Sequence, residues 1–258
     1  MSTTAGLSEM VERRWPGLLE QLPTIPETGA SLLRTIVVAL FVLTFLMEPF
    51  LIPSESMERT LLVGDFMLSN RQEFAPSDRL GRWILPYRTV RRGDVVVFYH
   101  SDPELLVKRV VAVPGDRLRI VNGQVFVNEE PLKEPYAWFA PSVRAVRDDF
   151  PPAEYTDPAI DPAWWKQIHS LTQDGELVVP PDEYFVLGDN RMHSDDSRYW
   201  GFVPRKAILA KPMVIYFSLK RVVAGGRMRA NVKLENTRDF AAKLTGFARW
   251  NRIFRVVH

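Results

Sequence analysis

The chain of 258 residues contains no cysteine. This absence excludes a disulfide-stabilised scaffold, a thiolate zinc site, an iron–sulfur cluster and a cysteine nucleophile, because each of them needs a thiol. An excess of one charge is also lacking, since 33 Lys and Arg nearly balance 31 Asp and Glu. The overall charge therefore does not predict a protein that binds nucleic acid. The hydrophobic content of 46% argues equally against a disordered chain.

Metal-ligand patterns and a common hydrolase motif are missing too. The four histidines show no ligand spacing, so no metal ion or other cofactor is expected. No Gly-x-Ser-x-Gly turn supports a Ser-His-Asp triad, although the composition allows one. An acidic cluster is interleaved with two arginines, which favours internal salt bridges over a cation site. The cluster is Asp189, Asp195 and Asp196, and the arginines are Arg191 and Arg198.

One long apolar stretch lies near the amino end, from Leu32 to Ile52. Its uncharged part, Thr35 to Met47, has thirteen residues, whereas a membrane-spanning helix usually needs roughly 20. Arg34 can snorkel to the lipid headgroups, and Phe50 to Ile52 can extend the apolar length. We therefore expect one transmembrane helix over residues 31–52.

Two other interpretations of this stretch stay open. A buried core helix is disfavoured because the run has no polar face. A cleaved signal peptide would end near Ser54-Glu55-Ser56, but Glu48-Pro49 and a lead of more than thirty residues are atypical of one. The slight excess of arginine before the stretch predicts that residues 1–30 are cytoplasmic.

Most of the remaining chain predicts β structure. Short β-branched runs alternate with turns, and Asn122-Gly123 is a strong hairpin signal. The pattern is lost between about residues 131 and 181, which we interpret as an irregular insertion. The expected fold is mainly β, with an antiparallel barrel-like domain over residues 53–220. The predicted strands are Asp94–Tyr99, Leu105–Val113, Arg117–Val121, Gln124–Asn128, Glu183–Leu187 and Met213–Leu219.

The end of the chain, residues 221–258, is a basic tail. Lys220 to His258 carries ten Lys and Arg against two Asp and Glu. Aromatic and apolar residues alternate with arginines here, which fits an amphipathic helix on anionic lipid headgroups. A solvated or frayed helix fits as well. The apolar members are Phe247, Trp250, Ile253 and Phe254, and the arginines are Arg249, Arg252 and Arg255.

Two features remain as candidates for chemistry. Ser54 and Ser56 follow the apolar stretch directly, and Lys108 lies within the most apolar predicted strand. Because side chains alternate across a strand, either Lys108 or Arg109 must face apolar surroundings. Burial disfavours the ammonium form, so a buried lysine can take a proton from a serine hydroxyl. An edge or snorkelling lysine is the ordinary alternative.

Four segments resemble, in chain order, the bacterial type I signal peptidases, which are membrane-anchored serine proteases of the Ser-Lys class. Together they span Glu48 to Pro204. The segments are Glu48–Asp65 around the serines, Arg92–Phe98, Lys108–Asp116 and Gly188–Pro204.

The resemblance implies a role for each matching residue. Ser56 would be the nucleophile, Lys108 the general base, and Ser194 the group that orients the lysine amine. The Ser54 hydroxyl and the Ser56 backbone N–H would form the oxyanion hole. Two structural salt bridges would pair Asp196 with Arg198 and Asp189 with Arg191. Shallow pockets for small side chains would be lined by Phe50, Ile52, Met57, Val97 and Val107.

The same resemblance implies a function. The chain would remove signal peptides from exported preproteins after Ala-x-Ala-like sites, as a single-pass monomer with its catalytic domain on the outer face of the cytoplasmic membrane. Its partners would be preprotein signal peptides and phospholipid, with no cofactor and no nucleic acid. A dedicated peptidase of narrow substrate range and a non-catalytic membrane-tethered β-domain that binds export clients are the alternatives.

The chain departs from the family pattern at three places. Arg59 stands where proline is usual, Glu55 where glycine is common, and Met192-His193 replaces a more usual Asp-Asn pair. These departures affect the expected turn geometry and substrate preference more than the serines or the lysine.

Overall fold

A computed structural model describes residues 27–41, 47–71, 73–74, 88–101, 104–139, 148–155, 157–220 and 247–258. The chain divides into two compact units, Met1–Thr44 and Phe45–His258. In the first unit, helix α1 spans Glu27–Phe41, and its apolar side chains from Leu32 to Leu40 are exposed. Within the described ranges, no helix is both long and apolar enough to cross a membrane. Most of the predicted cytoplasmic segment, up to residue 26, lies outside these ranges.

The apolar stretch does not continue as a single helix. Met47–Leu51 forms strand β1, which pairs with β2 from Met47 opposite Asn70 to Leu51 opposite Phe66. The expectation that Phe50 to Ile52 lengthen a helix is therefore wrong. The physical reason is pairing, since β1 gains backbone hydrogen bonds from β2 and Ile52 is buried in the core of the second unit.

The second unit is built mainly from antiparallel strands, so the mainly β prediction is confirmed. Its described strands are β1 (Met47–Leu51), β2 (Asp65–Asn70), β3 (Val95–Ser101), β4 (Glu104–Ala112), β5 (Arg117–Val121), β6 (Gln124–Val127), β7 (Glu130–Pro131), β8 (Thr172–Gln173), β9 (Glu176–Val178), β10 (Glu183–Leu187), β11 (Val203–Pro204), β12 (Ile208–Ser218) and β13 (Arg255–Val256). Its helices are α2 (Pro162–Leu171) and α3 (Ser197–Trp200).

The larger sheet contains eight of these strands in the order β1-β2-β12-β3-β4-β10-β11, with β13 paired to β12. The order has two open ends, β1 and β11, so the described strands do not close into the barrel that the sequence suggested. Long β12 joins the two halves of the sheet, because it pairs with β2 along one part and with β3 along another.

The smaller sheet has the order β7-β6-β5-β9-β8. Its β5–β6 hairpin turns at Asn122 and Gly123, whose φ angles of 50° and 80° suit a tight type I′ turn. The insertion predicted as irregular contributes α2, β8 and β9. Helix α2 begins at Pro162 because the Asp161 carboxylate accepts two backbone N–H bonds there, and it buries Trp164 and Ile168 in the core.

The last twelve residues form no amphipathic helix. Trp250–Arg252 is a single 3₁₀ turn, and β13 pairs with β12 through Val256 and Arg255. Arg252 is buried, so it cannot serve as a headgroup-facing residue of a surface helix. The helical prediction is wrong for residues 247–258, and its remainder, residues 221–246, lies outside the described ranges.

Candidate active site

Ser56 lies in a short 3₁₀ turn, Glu55–Met57, inside the loop that connects β1 with β2. Ile52 closes the base of this loop through two backbone hydrogen bonds. Its N–H donates to the Asp65 carbonyl at 2.9 Å, and its carbonyl accepts the Gly64 N–H at 3.0 Å. Met57 is buried beneath the turn, and Ser56 itself is only 7% exposed. The loop therefore holds its serine in a fixed position at the edge of the core.

The chain reverses immediately after the 3₁₀ turn. The Thr60 N–H donates to the Met57 carbonyl at 3.1 Å. Glu58 has φ −53° and ψ 145°, and Arg59 has φ 82°, which are the angles of a type II turn. Proline, which is fixed near φ −65°, cannot occupy the third position of such a turn. Arg59, which stands where the family usually has proline, therefore occupies a turn position that proline cannot take.

Ser54 lies beside Ser56, with 3.3 Å between their hydroxyl oxygens. Ser54 is exposed whereas Ser56 is buried, so the pair runs from solvent to the protein interior. The resemblance assigned Ser54 to an oxyanion hole, and its hydroxyl is close enough to the Ser56 hydroxyl to donate to an oxygen bound at the same place.

Lys108 is only 3% exposed and faces Val96 across the β3–β4 pair. Strand β4 also contacts the 3₁₀ turn that carries Ser56. The sequence predicted that one of the two adjacent cations would face apolar surroundings, but the structure buries both, and Arg109 is 2% exposed. Arg109 is compensated by the Asp189 carboxylate. The lysine thus lies in the protein interior on the strand next to the serine.

Asp196 belongs to the segment Gly188–Pro204 and lies near Lys108. Burial alone would raise the pKa of its carboxyl, but the charge and hydrogen bonds of Arg198, the charge of Lys108 and the nearby Ser194 hydroxyl hold that pKa below its ordinary value. Arg198 binds Asp196 with both Nε and Nη2 at 2.8 Å. The Gly188 N–H donates to the same carboxylate at 3.1 Å. Lys108, Ser194 and Asp196 are therefore neighbours in one buried polar cluster.

Gly188 brings the serine and this cluster together. A Cβ atom at Gly188 would collide with the Ser194 side chain and with the Ser56 carbonyl oxygen. Only glycine leaves the space in which the Ser194 side chain and the Ser56 carbonyl approach this backbone position so closely. The sequence analysis did not identify this role of Gly188 in packing the site.

The predicted pairing of Asp189 with Arg191 is wrong. Asp189 binds Arg109 through two hydrogen bonds of 2.8 and 2.7 Å, and it also accepts the Thr60 hydroxyl at 2.5 Å. Arg191 instead forms a two-pronged ion pair with Glu134. Neighbours in sequence point to different sides here, so each residue meets a partner far away in the chain. The Asp196–Arg198 pair, in contrast, is present as expected from the sequence.

Asn190 is a further residue of the site that the sequence reasoning did not single out. Its backbone N–H donates to the Ser56 carbonyl at 3.0 Å, and its side-chain amide donates to the Glu55 carbonyl at 3.3 Å. Asn190 thereby clamps the 3₁₀ turn from outside. Asn190 lies between Gly188 and Arg191, in a segment that resembles the signal peptidases, and this position could have indicated its place in the site.

An apolar cavity of about 90 Å³ opens beside the two serines. It is smaller than the roughly 150 Å³ cavity that holds benzene in another protein, so it suits a side chain of methyl to ethyl size. All five residues expected in the pockets line it. The lining is Phe50, Leu51, Ile52, Pro53, Ser54, Ser56, Met57, Val97, Leu105, Leu106 and Val107.

No group of three His, Asp or Glu in the described parts of the chain could hold a metal ion. The arrangement that the structure does provide is a buried serine, a buried lysine on the adjoining strand, and a small apolar cavity that the serine helps to line. These are the elements that nucleophilic hydrolysis with a lysine base requires.

Comparison with known proteins agrees with this chemistry. The family described as signal peptidase, peptidase S26, matches residues 25–217. Signal peptidase I of Pseudomonas aeruginosa is 35% identical over 79% of this chain and 77% of its own length. That of Pseudomonas fluorescens is 34% identical over 78% and 75%, respectively. A crystal structure of a signal peptidase I from Enterococcus faecalis V583 matches 48% of this chain and 97% of that chain, at 26% identity and a TM-score of 0.33.

The fold and the matches define a serine endopeptidase. The chain belongs to the signal peptidase family, peptidase S26.

Proposed function

We propose that this protein is a signal peptidase that cleaves exported preproteins after small residues, with Ser56 as nucleophile and Lys108 as general base. The observation that carries the proposal is the apolar cavity of about 90 Å³, which Ser56 itself lines while Lys108 is buried on strand β4 next to it. The relatives named signal peptidase I support the substrate class.

In the proposed reaction, Lys108 takes the proton from the Ser56 hydroxyl, and the Ser56 oxygen attacks the carbonyl carbon of the scissile bond. The resulting oxyanion accepts hydrogen bonds from the Ser54 hydroxyl and the Ser56 backbone N–H. Lys108 then gives its proton to the leaving amine, which releases the mature protein and leaves the signal peptide as an ester on Ser56. A water molecule, deprotonated by Lys108, hydrolyses this ester.

A general base must be uncharged before it takes a proton, and the burial of Lys108 disfavours its ammonium form. Asp196 stays ionised through Arg198, so the pair as a whole adds little net charge next to the lysine. Ser194, which lies against Asp196, is the group that we propose to direct the lysine amine towards Ser56. Asn190 and Gly188 keep the serine backbone in place for the attack.

Selectivity follows from the cavity. A methyl side chain next to the scissile bond fits readily into a space of about 90 Å³, whereas leucine or phenylalanine is too bulky to enter without displacing the strands. We propose that this cavity accepts the residue that directly precedes the cut.

We also propose that the protein works as a single-pass monomer at the cytoplasmic membrane, with the second unit on the outer face. The exposed apolar side chains of α1 support an anchor in this region, although Met47–Leu51 is outside it. The exposed Phe247, Trp250 and Phe254 support contact of the tail with lipid. An anchored enzyme meets a membrane-bound substrate at a raised effective concentration.

The test uses the full chain in detergent micelles with a preprotein whose signal peptide ends in Ala-x-Ala. We expect Ser56→Ala and Lys108→Met each to lower kcat by roughly 10³-fold or more, because each removes a part of the nucleophilic step. Mass spectrometry of the mature amino terminus identifies the cut. The matched controls are Ser170→Ala and Lys206→Met, which change an exposed serine and an exposed lysine and should leave kcat intact.

Cleavage at the wild-type rate by either Ser56→Ala or Lys108→Met would show that the assignment of the dyad is wrong. A preprotein with leucine in place of the last alanine tests the cavity. It should be cut far more slowly, and equal rates would remove the cavity from the proposal.

A further inference from the structure

The C-terminal segment, residues 247–258, reaches the loop that carries Ser56 from the far end of the chain. Its Arg252 side chain is buried and binds the Asp65 carboxylate, with 2.5 Å from Nη2 to Oδ2 and 3.1 Å from Nε to Oδ1. The same Nη2 donates to the Thr60 carbonyl at 3.0 Å. One guanidinium group thus holds the middle and the end of the loop, across 192 and 187 positions of sequence.

Two more contacts join this segment to the site. Val257 belongs to the same core cluster as Ile52 and as Met57, the last residue of the 3₁₀ turn. The His258 carbonyl accepts a hydrogen bond of 2.8 Å from Arg109, the arginine that binds Asp189. The segment is kept in position by β13, which pairs with β12. It therefore supports the loop by charge, by apolar packing and through the arginine next to Lys108.

The Asp65 carboxylate depends on Arg252 for a compensating positive charge. The carboxylate is fully buried, and it fixes the loop by accepting the Leu62 N–H at 2.8 Å and the Ser218 hydroxyl at 2.5 Å. A buried carboxylate needs a compensating charge, and Arg252 makes the shortest ionic contact with it. Thr60, the other residue bound by Arg252, also bonds Asp189 through its hydroxyl. Loss of Arg252 would free both residues to move.

We propose that Arg252 is a positioning residue for the reaction, which holds the loop so that Ser56 keeps its place relative to Lys108. The proposal rests on the function given above, in which Ser56 is the nucleophile. Arg252 does not line the cavity beside the serines. Its loss should therefore lower kcat, which depends on the alignment of serine and lysine, while KM changes little.

The experiment compares Arg252→Met and Arg252→Lys with the wild-type full chain in detergent micelles. Rates are measured on the Ala-x-Ala preprotein at a temperature where circular dichroism shows every variant to be folded. We expect kcat to fall about 100-fold in Arg252→Met, since small displacements of reacting groups have effects of this size. Lysine keeps the charge beside Asp65 but cannot bond Thr60 at the same time, so Arg252→Lys should recover part of the rate.

Arg117→Met is the matched control. Arg117 also binds a buried carboxylate, that of Glu176, but in the smaller sheet. It should lose stability and keep its kcat. An unchanged kcat in Arg252→Met, or an equal fall in Arg117→Met, would overturn the proposal. If Arg252→Met does not fold, an unchanged kcat in Arg252→Lys overturns it.

A Ser56→Ala arm separates this proposal from the function on which it rests. Cleavage by Ser56→Ala would overturn the nucleophile and with it both proposals. An inactive Ser56→Ala together with wild-type kcat in the Arg252 variants would overturn the positioning role alone.

Discussion

At the scale of single residues, the site depends on Gly188, because this residue has no side chain. Gly188 is in contact with the Ser56 carbonyl and the Ser194 side chain at once, and the Gly188 N–H also bonds Asp196. The two sides of the proposed chemistry, nucleophile and lysine environment, therefore meet at a position without a Cβ atom. Any substitution there changes the distance between them.

We expect Gly188→Ala to reduce kcat by about 100-fold, because the new methyl group must push Ser56 or Ser194 away. Steady-state kinetics on the preprotein measures the effect. The control is Gly175→Ala, where the added Cβ meets open space but φ is 78°. That variant should lose about 1 kcal/mol of unfolding free energy and none of its kcat. A Gly188→Ala enzyme with the wild-type kcat would contradict the close approach.

Much of the residue-level site was predictable, and the reason for the remainder is geometric. The two serines, Lys108 and the cavity residues lie in segments whose order along the chain carries the resemblance. The partner of Asp189 was not predictable, because Arg109 lies 80 positions away and sequence adjacency suggested Arg191 instead. Long-range ion pairs are determined by strand register, which no local pattern reveals.

At the scale of elements, the turn after Ser56 differs from the family pattern in a way that backbone geometry explains. Arg59 holds φ 82° at the third position of a type II turn. This angle costs a side-chain-bearing residue roughly 1–2 kcal/mol and is free of strain only for glycine.

We therefore expect Arg59→Gly to be at least as stable as the wild type. Arg59→Pro should lose at least about 1 kcal/mol together with activity, because proline cannot reach a positive φ. Urea denaturation and the preprotein assay measure the two effects, and Arg59→Ala controls for removal of the side chain. Equal stability of the Pro and Ala variants would show that the turn has another form.

The strands were easier to predict than the ends of the chain. Runs such as Arg117–Val121 carry β-branched residues between clear turns, and they appear in the structure with the same bounds. Met47–Leu51 continues an apolar run that began in a helix, so hydropathy alone could not separate the two elements. The strand forms because β2 offers it a free edge.

At the scale of the whole molecule, the second unit surrounds its site with buried arginine–carboxylate pairs. They are Asp65–Arg252, Asp189–Arg109, Asp196–Arg198 and Glu134–Arg191. Such pairs are costly to break from one side, because the remaining partner is left as an unpaired buried charge. The folded unit should therefore be sensitive to protonation of its carboxylates.

Acid should destabilise the unit. The pKa of Asp196 is lower in the folded than in the unfolded protein, so its contribution is complete above the ordinary aspartate value and is lost as pH falls below it. We expect a lower free energy of unfolding at pH 3 than at pH 7, measured with urea.

Asp196→Asn should lower the free energy of unfolding by about 3 kcal/mol at pH 7 and show a flatter pH dependence. Asp174→Asn, which changes an exposed carboxylate, should match the wild type at both pH values. A pH dependence that is identical in wild type and Asp196→Asn would contradict this account.

The contact of Arg252 with the serine loop also affects timing. A polypeptide is synthesised from its amino end, so Ser56 and Lys108 exist well before residues 247–258 are made. Until then Asp65 lacks its closest arginine, and the core below Met57 lacks Val257. A nascent chain would carry both proposed catalytic groups without the support that we propose aligns them. On the proposed roles, full proteolytic activity would thus require residues 247–258 to have folded against the loop.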